Sequence, residues 1–273
     1  MTTKEFGIFA DFKPLTPAGK RWIEKWDPNF VYLGLNDEGL IGRGSSRPRR
    51  AWGAKRSTWE KRIASDVKWL EDAGVEACFC IWYDFTRRTN DDLLAWVPDL
   101  IERLHVRTVV IDVEKAAKAS AARGESDTRF LEYLVDAGCR IEVAGYASPI
   151  GRVVSIVENA APEALMAYLP MAYSHYPPDR PEGHWTRSPS WRPGRAQALA
   201  WAKAPSGPAW SETVMGVGCY WLRGWGQLPA DSLADMVSGS PSSMVAVWSL
   251  KHAVIRGRDW IGETLDRWRS DQL

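Results

Sequence analysis

The sequence has almost no excess of charge of either sign. It contains 35 lysines and arginines against 34 aspartates and glutamates in 273 residues, a formal net charge of +1. Proteins that bind nucleic acid through their overall charge carry a strongly basic surface, so the balance argues against that function class. We therefore expect no nucleic-acid partner.

Long apolar runs are also missing. No stretch of about 18 consecutive apolar residues is present, and the mean hydropathy is −0.31, so no membrane span is predicted. The N-terminal stretch MTTKEFGIFADFKPL lacks the basic start, apolar run and cleavage site of a signal peptide. We expect cytoplasmic synthesis without a signal peptide, with delivery to a cell wall by another route or incorporation in a phage particle.

Cysteine and histidine are scarce, with four residues of each type. The cysteines are Cys78, Cys80, Cys139 and Cys219, and neither they nor the histidines show the spacing of a zinc site. Scattered cysteines in a chain of this length predict reduced, partly buried thiols rather than a disulfide framework. We expect no metal and no other cofactor.

The residue type that the chain has in quantity is tryptophan, with 16 copies. Four of them fall at or just past the ends of predicted strands: Trp82, Trp221, Trp225 and Trp248. Flat aromatic faces in a cleft suit sugar rings, whose C–H faces pack on them. Taken singly, each tryptophan is explained more simply as core filler, and only their clustering favours a carbohydrate site.

Apolar runs of period two alternate along the chain with stretches of helical period. Strands are predicted over residues 6–12, 30–36, 75–85, 107–114, 139–149, within 165–176, 213–221 and 244–250. Helices are predicted from Pro17, after an N-terminal cap at Thr16, and over residues 57–73 (opened by a capping box at Ser57), 90–104, 127–137, 194–204 and 258–269.

Eight strands, each followed by a helical segment, predict an α/β fold of the (β/α)8 TIM-barrel type. We expect a single domain over residues 1–273. The main alternative is a doubly wound open sheet, but no GxGxxG or Walker-type loop follows the first strand. The sequence therefore favours the barrel.

In such a barrel, polar residues at the carboxyl ends of the strands point into a common site. The sharpest element is the VVIDVE segment, in which alternation turns Asp112 and Glu114 inward, about 7 Å apart at Cα. Two acids entering a barrel mouth together repel each other, so at least one pKa is expected to rise. A carboxylic acid that stays protonated near neutral pH can donate to a leaving oxygen.

An ion pair at the barrel rim is the alternative explanation of these two acids. Arg87, Arg88 and Lys115 are the candidate partners. A bare Asp-x-Glu pair is weak support for catalysis by itself, and its position at the end of the fourth strand is what favours it.

Several of these segments carry a resemblance to known families. The VVIDVE segment (109–114) resembles the fourth-strand acidic motif of family 25 muramidases (lysozymes) and of family 18 chitinase-like hydrolases. PMAYSHY (170–176) is similar to the chitinase Met-x-Tyr-Asp stretch on the sixth strand, and AVWSL (246–250) to the eighth-strand tryptophan segment. GIFADF (7–12) and GYASP (145–149) resemble the first- and fifth-strand segments of the muramidases.

The resemblance implies a glycoside hydrolase of β-1,4-linked N-acetylated sugar polymers. The lack of a signal peptide favours peptidoglycan over chitin as the polymer. The resemblance also implies that Glu114 is the general acid and that Asp112 orients the substrate acetamido group, whose oxygen attacks the anomeric carbon. Asp11 would tune the charge of the pair or hold a water, Tyr173 would bind the acetamido group, and Trp248 would form the sugar floor. Further candidates for substrate binding at strand ends are Tyr146, Trp82, Asp84 and Tyr220.

Three departures from the family patterns leave a second hypothesis open. Val110 stands where the chitinase pattern has a further aspartate, Ser174 replaces its sixth-strand aspartate, and no Gln-Tyr follows Trp248 as in the muramidases. A catalytically inactive barrel, acting in sugar binding or as a structural component of a phage or contractile particle, fits these changes. A metal-dependent barrel hydrolase is disfavoured by the scattered histidines. The oligomeric state is not predicted.

Overall fold

The computed structural model describes residues 3–10, 14–35, 56–82, 91–113, 124–145, 165–170, 212–218, 233–234, 237–238, 242–255 and 258–273. The strands within these ranges are β1 (Glu5–Ala10), β2 (Phe30–Gly34), β3 (Glu76–Trp82), β4 (Thr108–Val113), β5 (Arg140–Gly145), β6 (Leu165–Pro170), β7 (Glu212–Gly218) and β8 (Met244–Trp248). The helices are α1 (Pro17–Trp26), α2 (Arg56–Asp72), α3 (Asp91–Leu104), α4 (Gly124–Asp136), α5 (Leu250–Ala253) and α6 (Trp260–Arg269).

The eight strands form one closed barrel in sequence order. Each strand pairs in parallel with the next, and β8 returns to pair with β1, so the sheet has no free edge. This arrangement confirms the predicted (β/α)8 fold class. It also brings the carboxyl ends of all eight strands to the same end of the barrel.

Side chains alternate between two hydrophobic clusters along the strands. One set, which includes Ile8, Val31 and Phe79, packs outward with residues of the surrounding helices such as Leu70 and Leu100. The other set fills the barrel interior and consists of Phe9, Phe30, Tyr32, Cys78, Cys80, Val110, Ala144, Leu169 and Ala246, with Met244 and Trp248 packed against it. The period-two pattern of the sequence thus divides between a covered outer face and a packed interior.

The helix starts agree with their sequence signals to different degrees. The Thr16 hydroxyl accepts a 3.1 Å hydrogen bond from the Gly19 N–H and caps α1, as predicted. The second helix spans Arg56–Asp72, one residue earlier at each end than the predicted 57–73. Leu250, predicted as strand, belongs to α5 because β8 ends at Trp248.

The predicted helix over 194–204 and the four cysteines are described to different extents. The predicted helix over 194–204 lies outside the described residues. Cys78, Cys80 and Cys139 are buried thiols, in agreement with the prediction, whereas Cys219 lies outside the described residues. In the ranges given above, the helices are all too short or too polar to cross a membrane.

Candidate active site

Three of the predicted site residues lie at the carboxyl end of the barrel. Trp82 is the last residue of β3, and the other two are on strands that face each other. Asp112 is on β4 and Trp248 is the last residue of β8. In a closed barrel of eight strands in sequence order, β4 and β8 are four strands apart in either direction. The carboxylate and the indole are therefore carried by opposite walls of the barrel mouth.

Asp112 is a buried carboxyl group on the inward side of β4. Only 3% of the residue is exposed, although aspartate is a residue type that is rarely buried. Val109 and Ile111 belong to the outer cluster and Val110 to the inner one, which confirms the predicted alternation along this strand. The backbone of Asp112 pairs with Trp82, the last residue of β3, and with Ala144 on β5.

Trp248 is partly buried and rests on an aromatic neighbour. Its ring lies 5.0 Å from that of Phe9, centroid to centroid, at an interplanar angle of 44°. The two residues are also register partners between β1 and β8, and Gly218 is the partner of Trp248 on β7. The peptide bond between Trp248 and Ser249 is cis. Trp248 is therefore a partly buried ring packed against the interior cluster.

The remaining predicted site residues lie outside the described residues: Asp11, Asp84, Glu114, Tyr146, Tyr173 and Tyr220. Two of them directly follow described strands in the sequence. Glu114 is the residue after Val113, which ends β4, and Asp11 is the residue after Ala10, which ends β1. Their roles stay predictions.

The structure brings together three polar side chains that the sequence did not predict to lie close to one another. The Tyr32 hydroxyl donates a 2.6 Å hydrogen bond to Oε2 of Glu142, and an Arg140 guanidinium nitrogen lies 3.2 Å from Oε1 of Glu142. Tyr32 is 1% exposed and Glu142 is 2% exposed. Burial first, and then the Glu142 carboxylate, raise the pKa of Tyr32 well above its usual value, so the hydroxyl keeps its proton. The signal in the sequence was the inward alternation of Arg140 and Glu142 along β5.

The amino end of the barrel holds a cavity of about 220 Å³ with polar walls, lined by Glu5, Asn29, Phe30, Tyr32, Glu76, Cys78, Thr108, Arg140, Glu142 and Met244. The Thr108 hydroxyl donates a 2.8 Å hydrogen bond to Glu76 across it. Burial raises the pKa of Cys78 well above its usual range, with a further contribution from Glu76. The cavity opens at the end opposite to the candidate site. Within the ranges the structure describes, His, Cys, Asp and Glu side chains form no group of three or more suited to a metal ion.

No family model matches this chain, and no curated protein matches it either. Solved structures do. Active domain 2 of a thermostable chitinase from Pyrococcus furiosus matches over 99% of this chain and 96% of its own, with a TM-score of 0.67 and 9% identity. A GH18 chitinase from Pseudoalteromonas aurantia matches over 98% and 100%, with a TM-score of 0.59 and 13% identity.

Sugar-converting enzymes of another class share the architecture as well. A D-psicose 3-epimerase matches over 98% of this chain and 97% of its own, with a TM-score of 0.51 and 10% identity. At such identities the likeness concerns the fold alone, and one barrel fold serves many reactions. The chain thus has the TIM-barrel fold that glycoside hydrolases use, and its function has to be argued from its own residues.

Proposed function

We propose that this protein is a glycoside hydrolase that cleaves β-1,4-linked N-acetylated sugar polymers at the carboxyl end of its barrel. The observation that carries the proposal is the buried Asp112 carboxyl on β4, facing across the mouth from the partly exposed Trp248 on β8. A carboxyl group and an aromatic platform on opposite walls suit a substrate with polar substituents and an apolar ring face.

The proposed roles come from the resemblance of the VVIDVE segment (109–114) to the fourth-strand acidic motif of the two hydrolase families. Glu114 comes two positions after Asp112 and is the proposed general acid that protonates the glycosidic oxygen. Asp112 is proposed to hold the acetamido group of the substrate, so that its carbonyl oxygen attacks the anomeric carbon as the leaving oxygen departs. Trp248 supports the sugar ring from below. Asp11, the residue after β1, is the proposed third acid.

Peptidoglycan is the proposed polymer, with chitin as the alternative. Both contain β-1,4-linked N-acetylated sugars, so the same acids and the same aromatic floor serve either. The likeness of GIFADF and GYASP to muramidase segments favours peptidoglycan, while the chitinase structures that share the fold support chitin. With peptidoglycan as substrate, the protein acts on a cell wall as a phage lysin or a lytic effector.

A second candidate function is a barrel that binds sugar without cleaving it, for example as a component of a phage or contractile particle. Val110 favours it, because this fully buried apolar residue occupies the interior position where the chitinase pattern has an aspartate. A binding barrel needs the aromatic floor and no general acid.

Turnover on purified peptidoglycan and on N-acetylglucosamine oligomers separates the two functions. We expect reducing-end release by the wild type, and a loss of about 10²- to 10⁴-fold in Glu114→Gln, the range for a general acid. Asp112→Asn should lose activity as well. Asp99→Asn, which removes an exposed carboxylate that pairs with Arg103 on α3, is the matched control and should keep full activity.

Each variant is first checked for wild-type thermal unfolding, because Asp112 is buried. Release that is unchanged in Glu114→Gln would overturn the assignment of the acid. Sugar binding with no release from either polymer would favour the non-catalytic barrel. Release from only one polymer identifies the substrate.

A further inference from the structure

A continuous column of aromatic rings runs from the barrel interior to the candidate site. The Tyr32 ring stacks against Phe9 at 4.4 Å between centroids and 22° between planes. Phe9 in turn contacts Trp248 at 5.0 Å. On its other side, Tyr32 meets the ring of Phe30 edge-on, at 5.3 Å and 69°. The position of the Trp248 indole therefore depends on rings beneath it that belong to β1 and β2.

The lower end of this column is fixed by a polar contact rather than by packing alone. The Tyr32 hydroxyl is bonded to Glu142, and the same carboxylate pairs with Arg140, which is about a quarter exposed at its side chain. A hydrogen bond to a charged group is directional and stronger than one between neutral groups. It sets how far the tyrosine ring reaches across the interior and how it is turned.

Burying the two polar groups of Tyr32 and Glu142 has a cost in free energy. Two polar side chains buried next to Val110 and Ala144 are costly unless each is bonded to the other. An apolar pair would fill the same interior layer without that requirement. The hydrogen bond adds to the packing a directional constraint on the tyrosine ring that an apolar pair does not have.

We propose that Tyr32 and Glu142 are positioning residues: through Phe9, their hydrogen bond holds the Trp248 ring in the orientation that receives a sugar. This inference rests on the proposed function, because it assigns the sugar floor to Trp248. Neither residue touches the sugar. Their contribution is to the binding of the oligomer, and the chemical step at Glu114 does not depend on them.

The test is a double-mutant cycle on sugar affinity, in a Glu114→Gln parent that prevents turnover. The probes are the N-acetylglucosamine tetramer and soluble peptidoglycan fragments, titrated calorimetrically. Tyr32→Phe keeps the ring and removes only the hydroxyl, and we expect it to weaken affinity about three- to ten-fold, a coupling typical of contacting residues. In a Trp248→Phe background the same change should have little further effect.

Two variants give the comparison its controls. Glu142→Gln retains an acceptor for the hydroxyl but removes its charge, and should lose less affinity than Tyr32→Phe. Thr264→Val removes another buried hydroxyl, which bonds to the Trp260 carbonyl of α6 far from the mouth, and should leave affinity unchanged. Equal losses in Tyr32→Phe and Thr264→Val, or an equal loss from Tyr32→Phe with and without Trp248, would overturn the proposal.

A measurement without sugar separates the positioning role from the proposed function. In chain labelled with 5-fluorotryptophan, the resonance that disappears in Trp248→Phe belongs to Trp248. We expect this ¹⁹F resonance to shift or broaden in Tyr32→Phe and to stay in place in Thr264→Val. An unmoved resonance in Tyr32→Phe contradicts the positioning role. A parent that binds neither sugar contradicts the proposed function, and the fluorine spectra then still decide whether Tyr32 holds Trp248.

Discussion

The backbone N–H of Leu15 donates a 2.8 Å hydrogen bond to Oδ2 of Asp66, a carboxylate on α2 that is 4% exposed. Lys20 on α1 lies 3.4 Å from the other oxygen of the same carboxylate. Asp66 thereby ties the segment just before α1 to the next helix along the chain. The contact therefore anchors the start of α1 against α2.

Removing this carboxylate should destabilise the fold measurably. Asp66→Ala leaves the Leu15 N–H without its acceptor and Lys20 without its partner, and we expect a loss of about 1–3 kcal/mol in the free energy of unfolding. Asp66→Asn retains an acceptor oxygen and should lose less. Urea unfolding measures both, with the exposed Asp99→Ala as control. An Asp66→Ala variant as stable as that control would contradict the prediction.

Asp66 also predicts how stability changes with pH. Burial raises the pKa of this carboxyl above its ordinary value of 3.8, and the contacts with Leu15 and Lys20 offset only part of that effect. The folded state therefore binds the proton more tightly than the unfolded state does. The stabilisation by this group is complete below the unfolded pKa and is lost as pH rises through the folded pKa.

The difference in unfolding free energy between wild type and Asp66→Asn isolates this contribution, since other groups titrate alike in both chains. We expect the unfolding free energy of the wild type, minus that of Asp66→Asn, to decrease as the pH rises from about 4 and to level off above the folded pKa. Urea unfolding at a series of pH values gives the curve. A difference that moves in favour of the wild type would mean that the pKa is lowered instead.

A close approach inside the barrel leaves no room for a side chain at Gly7 unless the Phe30 ring moves. A Cβ atom added at this residue would lie 1.9 Å from the ring of Phe30, its register partner on β2. We expect Gly7→Ala to cost about 1–3 kcal/mol or more, the range for overpacking a core. Replacing the ring by a smaller side chain should relieve the clash. The Gly7→Ala/Phe30→Leu double variant should therefore lose less unfolding free energy than the two single variants lose in total. Strict additivity in thermal unfolding would contradict this account.

The buried thiol of Cys139 should be inert in the folded protein. Burial raises its pKa to about 11, so about one molecule in a thousand carries the reactive thiolate at pH 8. We expect alkylation of Cys139 by iodoacetamide to be slow in the native chain and fast after unfolding. Mass spectrometry of the peptide that contains Cys139 measures the labelling. Labelling of the native chain at the unfolded rate would contradict the burial of this residue.

Trp248, the proposed floor of the sugar site, should contribute strongly to the affinity for sugar. Trp248→Ala removes both the stacking surface and the contact with Phe9, and we expect the affinity for the N-acetylglucosamine tetramer to fall about ten-fold or more. Trp69→Ala, a partly buried tryptophan on α2 in contact with Lys20, is the matched control. Equal losses from the two variants would show that Trp248 has no special part in binding.

Much of the fold was readable from local patterns. The alternation Val109, Val110, Ile111, Asp112 predicted which side chains face the helices and which face inward, and the structure bears this out. The cap at Thr16 was predicted from two neighbouring residues. The strand ends were less exact, because a strand stops where pairing with its neighbours stops. Pairing is a property of the assembled sheet, and for this reason Leu250 was placed in the wrong element.

By itself, the sequence determined the alternation of strands and helices that favours a barrel, and the placement of Asp112 and Trp248 near strand ends, because periodicity along the chain is local information. The contact between Tyr32 and Glu142, which are 110 positions apart, was decided only by the tertiary structure. It depends on the stagger of neighbouring strands and on closure of the barrel, which set the height at which each inward side chain sits. Closure of the barrel also pairs β8 with β1 and brings Trp248 into contact with Phe9. The periodicity along the chain does not predict this contact.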